Sequence, residues 1–141
     1  MHHPWRILRG LGHLRFVVDD LGDDGPLGCT DGNTITLTTG LAQVERRCVL
    51  MHELVHLERG IPHGHCPREE SAVEAEVARR LIGFDRMVDA LRWSQSIDEV
   101  ADELWVMPHL VQIRVERLHP SERHALRAAL GHDEPDHTNT T

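Results

Sequence analysis

The chain has 141 residues, 23 acidic and 15 basic side chains, 12 histidines and a formal net charge of −8. This length suits one hydrophobic core rather than two, and the acidic balance argues against a general nucleic-acid binder, which presents a basic face. No apolar run reaches the length of a membrane span and the N-terminus lacks the apolar stretch of a secretion signal, so a soluble, cytoplasmic protein without a membrane partner is expected.

Residues 4–11 read as a short helix: Pro4 fits a first turn, and Trp5, Leu8 and Leu11 share a side. Residues 13–18 suit a strand, followed by a Gly/Asp-rich turn region through Gly28. Thr34-Ile35-Thr36-Leu37-Thr38 alternates polar and apolar residues after the turn signal Asp31-Gly32-Asn33, and predicts a half-buried strand antiparallel to the first. From residue 42 to 58 the period changes: Val44, Cys48, Met51, Leu54, Val55 and Leu57 recur at helical spacing, and Gly60-Ile61-Pro62 ends the helix. Pro67 reopens a helix with Glu69 and Glu70 in its first turn, running to about Ile82 with Val73, Val77 and Leu81 inward. Further helices are predicted over 86–93, 97–105 and 108–118, with a last one starting at Pro120. The sum is an α+β domain over 1–130, with a polar, Pro-containing tail over 131–141 expected to be disordered. Cys29, Cys48 and Cys66 form no CxxC pair and read as reduced thiols. Arg46-Arg47 and Arg79-Arg80 read as surface residues with snorkelling stems.

The chemistry is concentrated at His52-Glu53-Leu54-Val55-His56, an HExxH motif. Positions i and i+4 share a helical face, so both imidazoles can serve one ion, while Glu53 sits at the edge of that face. From there it can act on a water at the ion without being a ligand, the arrangement of a zinc hydrolase. With this many His and Glu, chance alone gives about 0.08 such matches, so the surroundings decide. A catalytic zinc site needs a third protein ligand and an open fourth position. The next helix offers Glu69, Glu70, Glu74 and Glu76; Glu70 and Glu74 share one face, so one can ligate while the other orients a ligand histidine. A rival third ligand lies in the loop, where His63, His65 and Cys66 cluster. The pattern HExxHxxGxxH is missed there, because Gly60 and His63 each come one residue late.

Thr34-Ile35-Thr36-Leu37, the run from Glu45 through the HExxH motif to Gly60, and Glu69-Glu70 with Glu74 resemble the small ImmA/IrrE-type metallopeptidases of actinobacteria and their phages. The opening Pro4-Trp5-Arg6 and the segment from Ala101 to Leu118 are similar to that group as well. The resemblance implies a zincin-like fold, with a small twisted sheet beside the HExxH helix and a C-terminal helical bundle. It further implies Zn2+ held by His52, His56 and Glu70, Glu53 as general base, and Glu74 (the alternative third ligand) where an orienting Asp or Asn often stands. The implied partner is a protein substrate, a transcriptional repressor of a phage or stress-response circuit. A departure is the absence of tyrosine: a helper for the tetrahedral oxyanion would be His63, His65, an Arg or the metal itself.

Residues 96–118 resemble a helix-turn-helix, but the second helix carries only Arg114 and Arg117 as clear cations, offset by Glu116. A hairpin packed on the peptidase core, or one recognising protein, is expected rather than direct nucleic-acid binding. The alternative to an enzyme is a peptidase-like regulator that binds a protein partner without cutting it.

Overall fold

A computed structural model describes residues 3–60 and 66–131; the loop histidines His63 and His65 and the tail from residue 132 onward lie outside the described residues. The chain runs α1 (Pro4–Gly10), β1 (Arg15–Asp19), β2 (Gly28–Thr30), β3 (Thr34–Thr38), α2 (Gln43–Arg59), α3 (Pro67–Leu81), α4 (Phe84–Trp93), α5 (Ile97–Leu104), α6 (Pro108–Glu116) and α7 (Pro120–Gly131). It is an α+β architecture with seven helices and a three-stranded mixed sheet among the described residues.

The sheet corrects the expected antiparallel pairing of its first strand. The Asp31-Gly32-Asn33 turn does make a hairpin: Asp31 Oδ1 accepts the backbone N–H groups of Asn33 and Thr34 at 2.9 Å, and Gly32 takes a φ of +101° that favours glycine. The hairpin joins β3 to β2, with Cys29 opposite Thr36, and β1 lies parallel to β3 on the other edge, Phe16 beside Ile35. The extra reversal supplied by β2 sends β1 and β3 the same way. With three residues, one of them glycine, β2 is too short to display an alternating pattern.

α2 carries apolar side chains on two faces, and these separate two cores. Val49, Leu50 and Leu54 pack with Ile35 and Leu37 of β3, flanked by Trp5 and Leu8 of α1. Cys48, Met51 and Val55 turn the other way, into the core formed with α3 through α7. His52 and His56 fall in the stripe between these faces, one helical turn apart. The N-terminus of α2 is held by Glu45, whose carboxylate accepts the Ala42 N–H at 2.8 Å. At its C-terminus Gly60 adopts a φ of +82°, where other side chains are strained.

Ion pairs close α3 onto α2. Arg80 bonds Glu58 at 2.5 and 2.9 Å and Glu76 at 2.7 Å, and Arg59 bonds Glu69 at 2.5 and 3.2 Å. Arg47 is corrected from surface residue to buried tether: it is 7% exposed, donates to the Trp105 carbonyl at 2.6 Å and stacks over that indole at 5.6 Å. Trp105 sits at the αL C-cap of α5 with φ 57°.

The α5–α6 hairpin packs into the molecule rather than standing off it. Leu110 and Val111 of α6 are buried in the helical core. Arg114 is buried too, donating to the Ile82 carbonyl at 3.0 Å and gripping Glu122 with two bonds of 3.1 Å. Arg117 bonds the Ser71 hydroxyl at 2.5 Å. Arg114 in α6 and Arg117 at its C-cap are therefore both committed to intramolecular partners. No helix of the described chain is long and apolar enough to cross a membrane.

Candidate metal centre

The stripe of α2 between the two cores opens onto a cavity of about 420 Å³, whose polar wall is His52, Glu53, His56, Glu70 and Glu74. Its opposite wall comes from β2 and the residues just before it, with Pro26, Leu27 and Cys29, and its end from Met107, His109 and Leu110. The HExxH helix thus supplies one side, the edge strand the second and the α6 N-terminus the third.

Both histidines point the same ring nitrogen at one carboxylate. His52 Nε2 lies 2.8 Å from Glu70 Oε1, and His56 Nε2 lies 3.0 Å from Glu70 Oε2. Ligand atoms of His52, His56 and Glu70 all fall within 4.8 Å of one another. Two imidazole nitrogens and a carboxylate so gathered suit a divalent cation of the zinc type, which takes mixed N/O sets with one position left open. The donor set therefore fits the metal that the motif implies.

Glu74 occupies a different place from Glu70. Its Oε1 lies 3.3 Å from His52 Nδ1, the ring nitrogen turned away from Glu70. A carboxylate there holds the imidazole in the tautomer that leaves Nε2 free to ligate. The other oxygen, Oε2, is buried without a well-aligned hydrogen-bond donor, and His109 Nε2 approaches it at 3.2 Å. His109 foremost, with His52, pulls the Glu74 carboxyl down to about 2. Of the two carboxylates that the sequence left open as third ligand, Glu70 faces both Nε2 atoms and Glu74 backs one ring.

Glu53 is 6% exposed, and burial raises its carboxyl above the ordinary value against the opposing pull of His52 and His56. Burial disfavours a charged His52, yet Glu74, Glu53 and Glu70 together outweigh it and raise that imidazole. Glu69 is spent on Arg59 and Glu76 on Arg79 and Arg80, so neither serves the cavity. The loop candidates His63 and His65 lie outside the described residues, while Cys66 caps the start of α3 and is exposed.

His109 is the site residue that the sequence reading missed. It is 57 residues from His52, and no periodicity links them. Its one local signal is a histidine directly after Met107-Pro108, where a new helix starts and side chains of the first turn project beyond the helix end.

No protein-family model, curated protein or solved structure matches the chain.

Proposed function

We propose that the chain is a zinc-dependent metallopeptidase with a zincin-like site, and that His52, His56 and Glu70 hold the metal. The observation that carries this reading is the convergence of His52 Nε2 and His56 Nε2 on the two oxygens of Glu70, with Glu53 in the wall of the same cavity. When bound, zinc supplies Lewis acidity toward a carbonyl and toward water. Glu53 then takes a proton from the attacking water and returns it to the leaving amine, from a place in the wall of the same cavity beside His52. Glu74 keeps His52 in register, and the apolar part of the lining, from Leu27, Val49, Val77 and Leu110, offers contact to substrate side chains. The ImmA/IrrE-like motifs point to a cytoplasmic protein whose substrate is a transcriptional repressor.

A peptidase-like regulator that binds a protein without cutting it is the second reading, supported by the absence of tyrosine, a common oxyanion donor. Glu53→Gln separates the two. Zinc-loaded wild type and variant are incubated with a complex peptide library and new termini are mapped by mass spectrometry. The enzyme reading expects cuts with wild type and none with Glu53→Gln, which keeps its zinc. Equal cutting by both proteins, or none by the wild type, refutes it.

A further inference from the structure

Glu74 connects two histidines from different parts of the fold. Its Oε1 faces His52 Nδ1 on α2 at 3.3 Å, and its Oε2 faces His109 Nε2 on α6 at 3.2 Å. The second oxygen is buried and lacks a well-aligned hydrogen-bond donor, and His109 Nε2, half exposed at 3.2 Å, is placed to supply one by a small turn of its ring. A carboxylate with one oxygen anchored can rotate about its last torsion; one held at both oxygens cannot.

We infer that His109 is a positioning residue for the metal centre, which through Glu74 fixes the ring of His52 and so makes the α5–α6 hairpin part of the site. This rests on the metal reading given above. His109 does not reach the ligand atoms itself; it acts by holding the oxygen of Glu74 that His52 leaves unused.

The placement of His109 is determined by its surroundings. Pro108 sets the first turn of α6, Leu110 and Val111 bury the next positions, and α6 packs along α3, the helix that carries Glu74. A second tether joins the same hairpin to the metal helix: Arg47, five residues before His52, donates to the Trp105 carbonyl in the turn between α5 and α6. The hairpin is thus tied to α2 through Arg47 and meets α3 at the site through His109 and Glu74. A segment whose sequence resembles a nucleic-acid reader has its first-turn histidine directed at the metal cavity.

The test is zinc affinity, measured on metal-free protein by competition with a chromophoric chelator at neutral pH. Partners that orient a ligand histidine are worth about 10–100-fold in metal affinity, so Glu74→Ala should weaken binding by that factor; His109, one contact further out, should be worth about 3–10-fold. His109→Gln places an amide nitrogen near the position of Nε2 and should stay close to wild type. In the Glu74→Ala background, His109→Ala should cost nothing more, because its effect passes through that carboxylate. Wild-type affinity in His109→Ala, or an undiminished loss in the Glu74→Ala background, overturns the inference while leaving the metal reading standing. A wild-type chain with no tight zinc site overturns both.

Discussion

Zinc held by His52, His56 and Glu70 should stabilise the folded chain by a measurable amount. A ligand that binds only the folded chain stabilises it by about 2.7 kcal/mol at a free concentration 100 times its dissociation constant. The unfolding entropy of a domain this size makes each kcal/mol worth about 3–4 °C, so zinc at that level should raise the midpoint by about 10 °C. His56→Ala removes one of the three gathered ligands. If that weakens binding about 100-fold, the same zinc concentration only equals the new dissociation constant and contributes about 0.4 kcal/mol, a rise of about 1–2 °C. The assay is thermal unfolding of chelator-treated protein followed by circular dichroism across a zinc titration, with both proteins compared in their metal-free state first. The variant is essential, since 12 histidines and three cysteines offer adventitious zinc sites. A wild-type shift below about 2 °C at saturating zinc refutes the reasoning, and so does an equal shift in His56→Ala, which would place the ion elsewhere.

Two further expectations concern the scaffold around the site. Gly28 of β2 lies against α2 so closely that an added Cβ would stand 2.7 Å from Val49 Cγ1, 3.1 Å from Leu37 Cδ2 and 3.2 Å from the Thr36 carbonyl oxygen. Gly28→Ala should therefore cost about 1–3 kcal/mol in urea unfolding, and Val49→Ala in the same chain should recover part of it; simple additivity of the two losses would show that no clash existed. Arg114→Ala should cost about 3 kcal/mol at neutral pH, because it removes the donor to the Ile82 carbonyl and the cation that grips Glu122. Arg114 lowers the Glu122 carboxyl, so that part of the stability is complete above the ordinary glutamate value of 4.5 and fades as pH falls below it. The destabilisation should thus shrink in acid without vanishing, since the bond to Ile82 does not titrate; a pH-independent loss would contradict the ion-pair contribution.

What could be read from the sequence follows from how locally each feature is encoded. The helices were legible because 3.6-residue periodicity, Pro67, Pro108 and Pro120 at helix starts, and Gly60 at a helix end are all statements about neighbours. The relation of His52 to His56 was legible for the same reason, since a helix fixes i to i+4. The pair Glu70 and Glu74 was legible as a face but not as two roles. Which carboxylate meets the Nε2 atoms depends on the rotation of α3 against α2, set by the packing of Val73 and Val77 against Met51 and Val55. The expectation of an antiparallel β1 failed for a related cause: the alternation of 34–38 marks a strand but says nothing about which neighbour takes which edge.

Arg114 shows how a charge can mislead when counted apart from its stripe. It follows Leu110 by four residues and Val111 by three, so helical geometry places it on the buried face, where a guanidinium must find partners. Read that way, the same letters that suggest a phosphate-facing helix describe one packed inward. His109, one position before Leu110, is half exposed and lines the cavity from the first turn of α6. The helix is oriented by its apolar residues, and that orientation brings His109 to the oxygen of Glu74 that His52 leaves unused.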